Sequence, residues 1–391
     1  MQFEACFRAG ERHTTVLLPF DLDAVLDDWA TLRSHMSRHK PDLFTRDEWA
    51  YLIGFLERDH LRSPFEQTFG QRDLETRCPA HTIALPGGPV AVWLPNNVSL
   101  LGPLALVLLS LTGNPVWFKS GSHGGDLTQQ FLDYVLANIS EGPLRKHLAE
   151  AVVAEVFTRD ASRNGEWAAR ARTRLVFGSD AAVDAVHAMP HPSDSVGFSF
   201  GHRESEAWVE TRVCDDGVLE SLLRVFAIYG QAACTSPARV VLLEGTEADA
   251  REMRDRMVAM WKVLFPRDPE MAAASEAVRD HQWAASLGWD SRLCERHGAA
   301  FAAGTVQLAR PRGLRLLPLV PATTAQALES LPTWIQTIGH AVSSERERQL
   351  LPKVAARHVK RLVPIRDMHR FGPVWDGQPF WQGTFDRMEL Q

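Results

Sequence analysis

Lysine is scarce in this chain of 391 residues. Only Lys40, Lys119, Lys146, Lys262, Lys353 and Lys360 occur, and arginine supplies the rest of the basic charge. Cysteine is scarce as well. Cys6, Cys78, Cys214, Cys234 and Cys294 are odd in number and widely spaced, and no Cys-x-x-Cys occurs. This excludes a disulfide framework or a structural zinc site and points to a reducing compartment. Long apolar runs are missing too. The most apolar stretch, residues 98–111, is too short and too interrupted for a membrane span. The first residues, MQFEACFRAGERHTTVLL, hold Glu4, Arg8, Glu11 and Arg12 with no apolar core, so no signal peptide is expected there. Nor is there an excess of basic charge. The net charge of -6 gives no electrostatic case for nucleic acid or an anionic membrane surface. These absences lead to the expectation of a soluble, cytoplasmic protein.

The composition fits a globular protein with a sizeable core, with 45% hydrophobic and 23% charged residues. The length suits two domains. Residues 21–70 read as helical, with Leu22, Val25, Leu26, Trp29 and Leu32 at helical spacing. From residue 81 the texture changes. HTIALPGGPVAVWLP gives two short β-type runs around a Gly-Gly turn, and LLGPLALVLLSLTG a buried helix ended by Gly113. A strand into a glycine-rich turn (NPVWFKSGSHGG), a helix (LTQQFLDYVLANI), and a strand, tight turn and helix (TRLVFGSDAAVDAVHAM) follow. SVGFSFG and AWVETRV are further strands. Such alternation predicts a doubly wound parallel sheet, which binds ligands at the carboxyl ends of its strands. After Cys234 the pattern predicts a strand at 239–243, long helices over about 247–298, a strand near 314–320 and another helical pair. The tail has one strand and then Pro/Gly/Trp-rich irregular chain, read as packing across a neighbouring surface.

Several residues are candidates for chemistry, each against a structural alternative. Cys234 lies between a helix and a strand, where a thiolate with a lowered pKa can attack a carbonyl. A lone cysteine among small residues is, by contrast, commonly buried and inert. An asparagine at a strand end, as in WLPNNVSLLG, can aim its amide at a developing oxyanion, or simply close an Asx-turn. A strand ending in Lys119 and followed by Ser120, Gly121 and Ser122 offers a point charge and hydroxyl donors to a ribose or phosphate, or forms a solvated turn. That turn is neither a GxGxxG nor a P-loop, and Ser120 stands where a GxSxG elbow needs its first glycine. His202 could protonate a leaving thiolate or sit at a strand end. His187 and His191 are four apart, but Pro190 interrupts the helix that would align them on a metal.

Taken in order, Pro95-Asn96-Asn97-Val98-Ser99, Gly113-Asn114-Pro115-Val116-Trp117-Phe118-Lys119, Gly178-Ser179 and Gly230-Gln231-Ala232-Ala233-Cys234 resemble four motifs of the aldehyde dehydrogenase superfamily. Gln231, Cys234, Ser236 and Pro237, with RLVPIRDMHR and VWDGQP in the tail, are most similar to one branch of it. That branch is the acyl-thioester reductases, typified by the reductase subunit of the bacterial bioluminescence fatty-acid reductase complex. The likeness runs over about residues 75–385.

The resemblance implies an α/β, aldehyde-dehydrogenase-like fold. A doubly wound, Rossmann-type cofactor domain would span residues 1–212, completed by the tail from about 358 to 391. A second α/β catalytic domain would span 213–357. It implies that Cys234 attacks an acyl thioester and that the Asn97 amide and the Cys234 backbone N–H hold the oxyanion. Hydride from NADPH would then release an aldehyde. Lys119, with Ser120 and Ser122, would hold the adenosine ribose region, and Gly178 with Ser179 the pyrophosphate. The acyl donor would be CoA, a carrier protein or an acyl synthetase subunit, and the protein a homo-oligomer.

Three departures from the superfamily pattern carry information. Phe200 stands where hydrolytic members have a glutamate base, with Glu204 and Glu206 near but out of register, so water is not activated. Lys119-Ser120-Gly121-Ser122 lacks the carboxylate of NAD-preferring members, which favours NADPH, with NADH as the alternative. The segment that orients the nicotinamide ribose is missing from its usual place, and FGPVW at Phe371 is set aside as tail. Two alternatives remain at this point: a CoA-acylating aldehyde dehydrogenase running oxidatively, and a cysteine acyltransferase or acyl-binding subunit without hydride transfer.

Overall fold

In the computed structural model, which describes residues 2–73, 80–121, 127–229 and 231–390, strands β1 (Phe3–Ala9) and β2 (Arg12–Leu18) open the chain as an antiparallel hairpin. Neither FEACFRA nor RHTTVLL keeps a strict polar–apolar alternation, so the pair went unread in the sequence. Three helices follow: α1 (Leu22–Met36), α2 (Arg46–Phe55) and α3 (Arg58–Phe69). Asp21 caps α1 by accepting from the Asp23 and Ala24 amides, and the predicted stripe of Leu22, Val25, Leu26, Trp29 and Leu32 is buried.

Next come β3 (Gln71–Asp73), β4 (Thr82–Pro86), β5 (Val90–Trp93), α4 (Leu101–Ser110), β6 (Val116–Ser120), α5 (Thr128–Asn138), α6 (Pro143–Ala151), β7 (Val152–Val156), α7 (Arg163–Arg170), β8 (Thr173–Phe177), α8 (Asp180–His187) and β9 (Val196–Phe200). Strands β5 to β9 form one parallel sheet in the order β7-β6-β5-β8-β9. The strand order reverses at β5, which leaves a crevice beyond its carboxyl end. Nearly all of α4 is buried, which accounts for its unbroken apolar sequence. Gly113, past its end, has φ +74°, and a Cβ there would strike the Pro19 ring. Among the described residues no helix is long and apolar enough to cross a membrane.

The chain then builds a second sheet of mostly parallel strands. Its elements are β10 (Glu204–Glu210), α9 (Asp216–Tyr229), β11 (Pro237–Leu243), α10 (Glu247–Leu264), α11 (Met271–Ser286), β12 (Asp290–Leu293), β13 (Ala300–Ala303), β14 (Leu316–Ala322), α12 (Thr324–Glu329), β15 (Ile335–Ala341), α13 (Ser344–Ala355) and β16 (Arg361–Pro364). The strand order is β12-β13-β14-β11-β10-β15-β16, and only β12 runs antiparallel. Helix therefore stops at Ser286 rather than near 298, and β15 separates the two helices read as a pair.

Finally β17 (Phe385–Glu389) returns to pair with β4. The sheet β17-β4-β2-β1-β3 is thereby closed at one side by the end of the chain. The two β-runs around Gly87 and Gly88 thus belong to different sheets. The tail is no surface strap: Phe371, Phe380, Trp381 and Phe385 are buried, and Trp381 Nε1 donates to the Leu108 carbonyl at 2.9 Å. By internal contacts the chain divides into one unit of Met1–Gly201 with Phe371–Gln391 and another of His202–Arg370.

Candidate active site

In the first unit a cleft of about 350 Å³ lies beyond the carboxyl ends of β5, β6 and β8. Lys119, Gly178 and Ser179 line it, together with Asn96, Gly121 and Arg159. Lys119 is buried on β6, its ammonium 5.8 Å from the Phe157 ring centre. The Gly178 amide donates to the Phe200 carbonyl at 3.1 Å. Ser179 caps α8, accepting from the Ala182 amide at 3.3 Å, and the helix N-terminus faces a ligand with partial positive charge. Ser120 is buried as the last residue of β6 and is not part of the lining. Ser122 falls outside the described residues. Among the described residues no carboxylate lines the cleft.

Asn96 and Asn97 are both exposed after β5. Asn96 lines the cleft, and its side-chain carbonyl sits where a Cβ on residue 121 would be, so a larger residue at 121 would displace it. The loop is braced from α2, where Glu48 accepts a hydrogen bond from Ser99 Oγ. Arg159 was missed in the sequence. Asn164 Nδ2 fixes its loop by donating to the Thr158, Arg159 and Ala161 carbonyls, while Asn164 Oδ1 accepts from Trp93 Nε1 at 2.9 Å. Phe200, at the position read as the missing base, is 6% exposed and stacks on Phe177 with ring centres 4.4 Å apart.

In the second unit Cys234 and His202 precede β11 and β10, adjacent parallel strands. Both therefore sit at the amino side of this sheet. Cys234 is half-buried in a tight turn, in which the Ser236 amide donates to the Ala233 carbonyl at 2.9 Å. Its carbonyl accepts from Ser205 Oγ at 2.7 Å. Gln231 Nε2 donates to Pro237 at 3.2 Å and ties the approach to the start of β11. Ser236 Oγ is buried and has no hydrogen-bond partner among the described residues. The His202 ring is exposed, 6.3 Å from Trp334.

All three glutamates of β10 are engaged, Glu210 through Arg212 at 2.6 Å. Burial alone would raise the Glu204 pKa, but the hydrogen bond and charge of Arg310 at 2.6 Å, with Arg312, hold it below the usual value. Glu206 is fully buried, with Arg239 Nε 2.7 Å away as a charge contact. Arg239 Nη2 also donates to Glu206 Oε2, and so does Trp208 Nε1. None of these carboxylates is left as a base for water. His187 and His191 take Ser199 and Ser195 as partners. Among the described residues no cluster of three or more His, Cys, Asp or Glu could hold a metal ion.

Comparison with known proteins follows this geometry. A family model described as acyl-CoA reductase (LuxC) matches residues 25–380. A comparison with curated proteins gives no match. Among solved structures, aldehyde dehydrogenase 21 from Physcomitrella patens, in complex with succinate, is similar with TM-score 0.65 and 14% identity, over 94% of this chain and 84% of that one. Glyceraldehyde-3-phosphate dehydrogenase GapN from Methanocaldococcus jannaschii, complexed with NADP, gives 0.63 and 11%, over 94% and 88%. Succinic semialdehyde dehydrogenase from Streptococcus pyogenes, with NADP+, gives 0.63 and 12%, over 94% and 90%. At these identities the likeness shows the aldehyde dehydrogenase fold.

Proposed function

This chain belongs to the acyl-CoA reductase (LuxC) family, and from that membership we propose that Cys234 is its nucleophile and NADPH its reductant. The Cys234 sulfur bonds to the acyl carbon, the bond from that carbon to the CoA sulfur breaks, and the thiol proton leaves with the CoA thiolate. His202 is the proposed carrier of that proton from the Cys234 thiol to the CoA thiolate, and the Asn97 amide with the Cys234 N–H the proposed oxyanion donors. Assigning Asn97 rather than Asn96 is supported by the cleft lining, which includes Asn96 and not Asn97. The carrying observation is that Glu204, Glu206 and Glu210 are all ion-paired, so an acyl-enzyme formed here meets no free carboxylate base on β10 to activate water. This favours reduction over hydrolysis. Reducing the acyl group leaves a thiohemiacetal on Cys234, which collapses to aldehyde and free thiol.

The donor set of the first unit fits a phosphorylated dinucleotide. Lys119 and Arg159 supply positive charge, and the α8 N-terminus with Gly178 and Ser179 supplies donors to a diphosphate. When bound, the reduced nicotinamide supplies hydride. The NADP complexes of GapN and of the S. pyogenes enzyme support the same choice. The first unit is thus the proposed dinucleotide domain and the second the nucleophile domain, with CoA or an acylated protein as donor and a homo-oligomer as the assembly.

Mass spectrometry after mixing with acyl-CoA tests the reading. Wild type gains one acyl group on Cys234 and, with NADPH, releases aldehyde. Cys234→Ala gains none and still binds NADPH. Aldehyde from that variant sinks the mechanism, and acyl transfer with no NADPH consumption favours the acyltransferase reading.

A further inference from the structure

The turn that carries Cys234 is held from behind by a buried chain of polar groups. Thr235, next after the cysteine and 4% exposed, lies with Oγ1 2.7 Å from His369 Nδ1. The other ring nitrogen, Nε2, lies 2.7 Å from the Val225 carbonyl in the last turn of α9. A carbonyl only accepts, so Nε2 carries the proton. In a neutral ring Nδ1 is then the acceptor, and the Thr235 hydroxyl donates to it. Burial keeps the ring neutral, pushing its pKa down to about 4. Tyr229 packs edge-on to the ring at 5.0 Å. The backbone of α9 thus fixes the tautomer, and the tautomer fixes the hydroxyl.

The segment bearing His369 is itself tied down. Arg361 on β16 donates to the carbonyls of Met368 at 2.9 Å, Asp367 at 3.1 Å and Arg370 at 3.2 Å. On the other side, Ser205 Oγ takes the Cys234 carbonyl. The peptide joining Cys234 to Thr235 is therefore held at its oxygen and through the side chain that follows it. An apolar residue would fill the His369 site without the cost of burying two ring nitrogens. Both nitrogens are instead aimed at definite partners.

We infer that His369 is a positioning residue for the nucleophile: through Thr235 it fixes the peptide after Cys234 and so the direction in which the thiol is presented. This rests on the reading of Cys234 as nucleophile. The hydroxyl–imidazole link is the part that matters for rate, because the Val225 bond only orients the ring.

Paired variants of the full chain separate positioning from mere packing, with the rate of acyl-adduct formation from acyl-CoA as the readout and the urea midpoint measured alongside. Thr235→Val removes the donor at equal volume and slows acylation about tenfold or more, whereas Thr235→Ser keeps the hydroxyl and restores most of the rate. His369→Gln keeps a donor near Nε2 but loses the acceptor near Nδ1, and slows acylation as Thr235→Val does. His369→Asn keeps that acceptor and restores most of the rate. The double variant Thr235→Val/His369→Gln is no slower than either single one, because one link is lost in each case. Acylation of Thr235→Val at the wild-type rate overturns the proposal. So does slowing of all four single variants in proportion to their urea midpoints. Cys234→Ala run in parallel keeps the two readings apart. An acyl adduct on that variant overturns the nucleophile itself, while a clean Cys234→Ala with a fast Thr235→Val overturns only the positioning role.

Discussion

Both units leave a few buried polar atoms without a hydrogen-bond partner among the described residues: Nε and Nη1 of Arg174, which is 3% exposed, and His147 Nε2 in the first, Ser236 Oγ and Gln336 Oε1 in the second. What differs is how each unit holds its candidate residues. In the second, Arg239 binds Glu206 and Ser330, and His369 links Thr235 to Val225. The first unit's cleft is formed by the loops and helix start beyond three strand ends, and it selects a ligand by shape and charge. The second, on the proposed reading, must present the Cys234 sulfur, and directed bonds hold the turn that carries it. Damage to the first unit should therefore appear in cofactor affinity, and damage to the second in stability or acylation rate.

The largest effect on stability is expected where the second unit buries its ion pair. Arg239→Met leaves Glu206 buried with no cation, at a cost of about 3–5 kcal/mol. Glu206→Gln/Arg239→Met removes both charges and recovers most of that loss. Urea unfolding of the three proteins checks it. Equal midpoints for the single and double variants would show that packing, not charge, sets the cost.

Next in size is a difference in sign between two buried histidines. Burial pushes His147 and His369 alike from the ordinary 6.5 down to about 4. The unfolded chain thus takes up protons below about pH 6.5 that the folded chain takes up only near pH 4. Stability is lost as pH falls across that window, by about 2 kcal/mol per histidine at pH 5. His147 packs edge-on to Phe20 at 5.1 Å and leaves Nε2 unpartnered, so His147→Phe removes the acid-sensitive part at little cost at pH 7. His369→Phe removes it too but strands the Thr235 hydroxyl and the Val225 carbonyl, and lowers stability at pH 7. Unfolding midpoints at pH 7 and pH 5 for both variants test this, and a destabilised His147→Phe at pH 7 would erase the contrast.

Much of the first unit was legible because its signals are local. Short β-branched runs, glycine punctuation and the apolar stripe of α1 announce themselves within a few residues. Ala300–Ala303 did not, since alanine favours helix and the strand is made by its neighbours β12 and β14. β15, with the polar Gln336, Thr337 and His340 buried in it, carries no alternation to read. The site divides in the same way. Lys119, Ser179 and Cys234 stand in motifs, whereas His369, though within RLVPIRDMHR, reaches Thr235 across 134 residues, and Arg159 lies in a plain turn. Only tertiary structure gives those two a role.

The smallest effect sharpens the contrast most, because it concerns binding alone. Arg159 is an exposed guanidinium at the rim of a cleft with no carboxylate among its described lining residues. A 2′-phosphate offers it a dianion, whereas the ribose diol of NADH offers nothing that needs a cation. Arg159→Ala should raise the KM for NADPH about tenfold, the weight of one charge-assisted hydrogen bond, and leave the KM for NADH within about twofold. The rate of Cys234 acylation without cofactor should not move. Steady-state assays with both nucleotides, beside the acyl-adduct rate, measure all three. Equal losses for NADPH and NADH would place Arg159 on a part of the dinucleotide that the two share, and the preference would then fall to Lys119 alone.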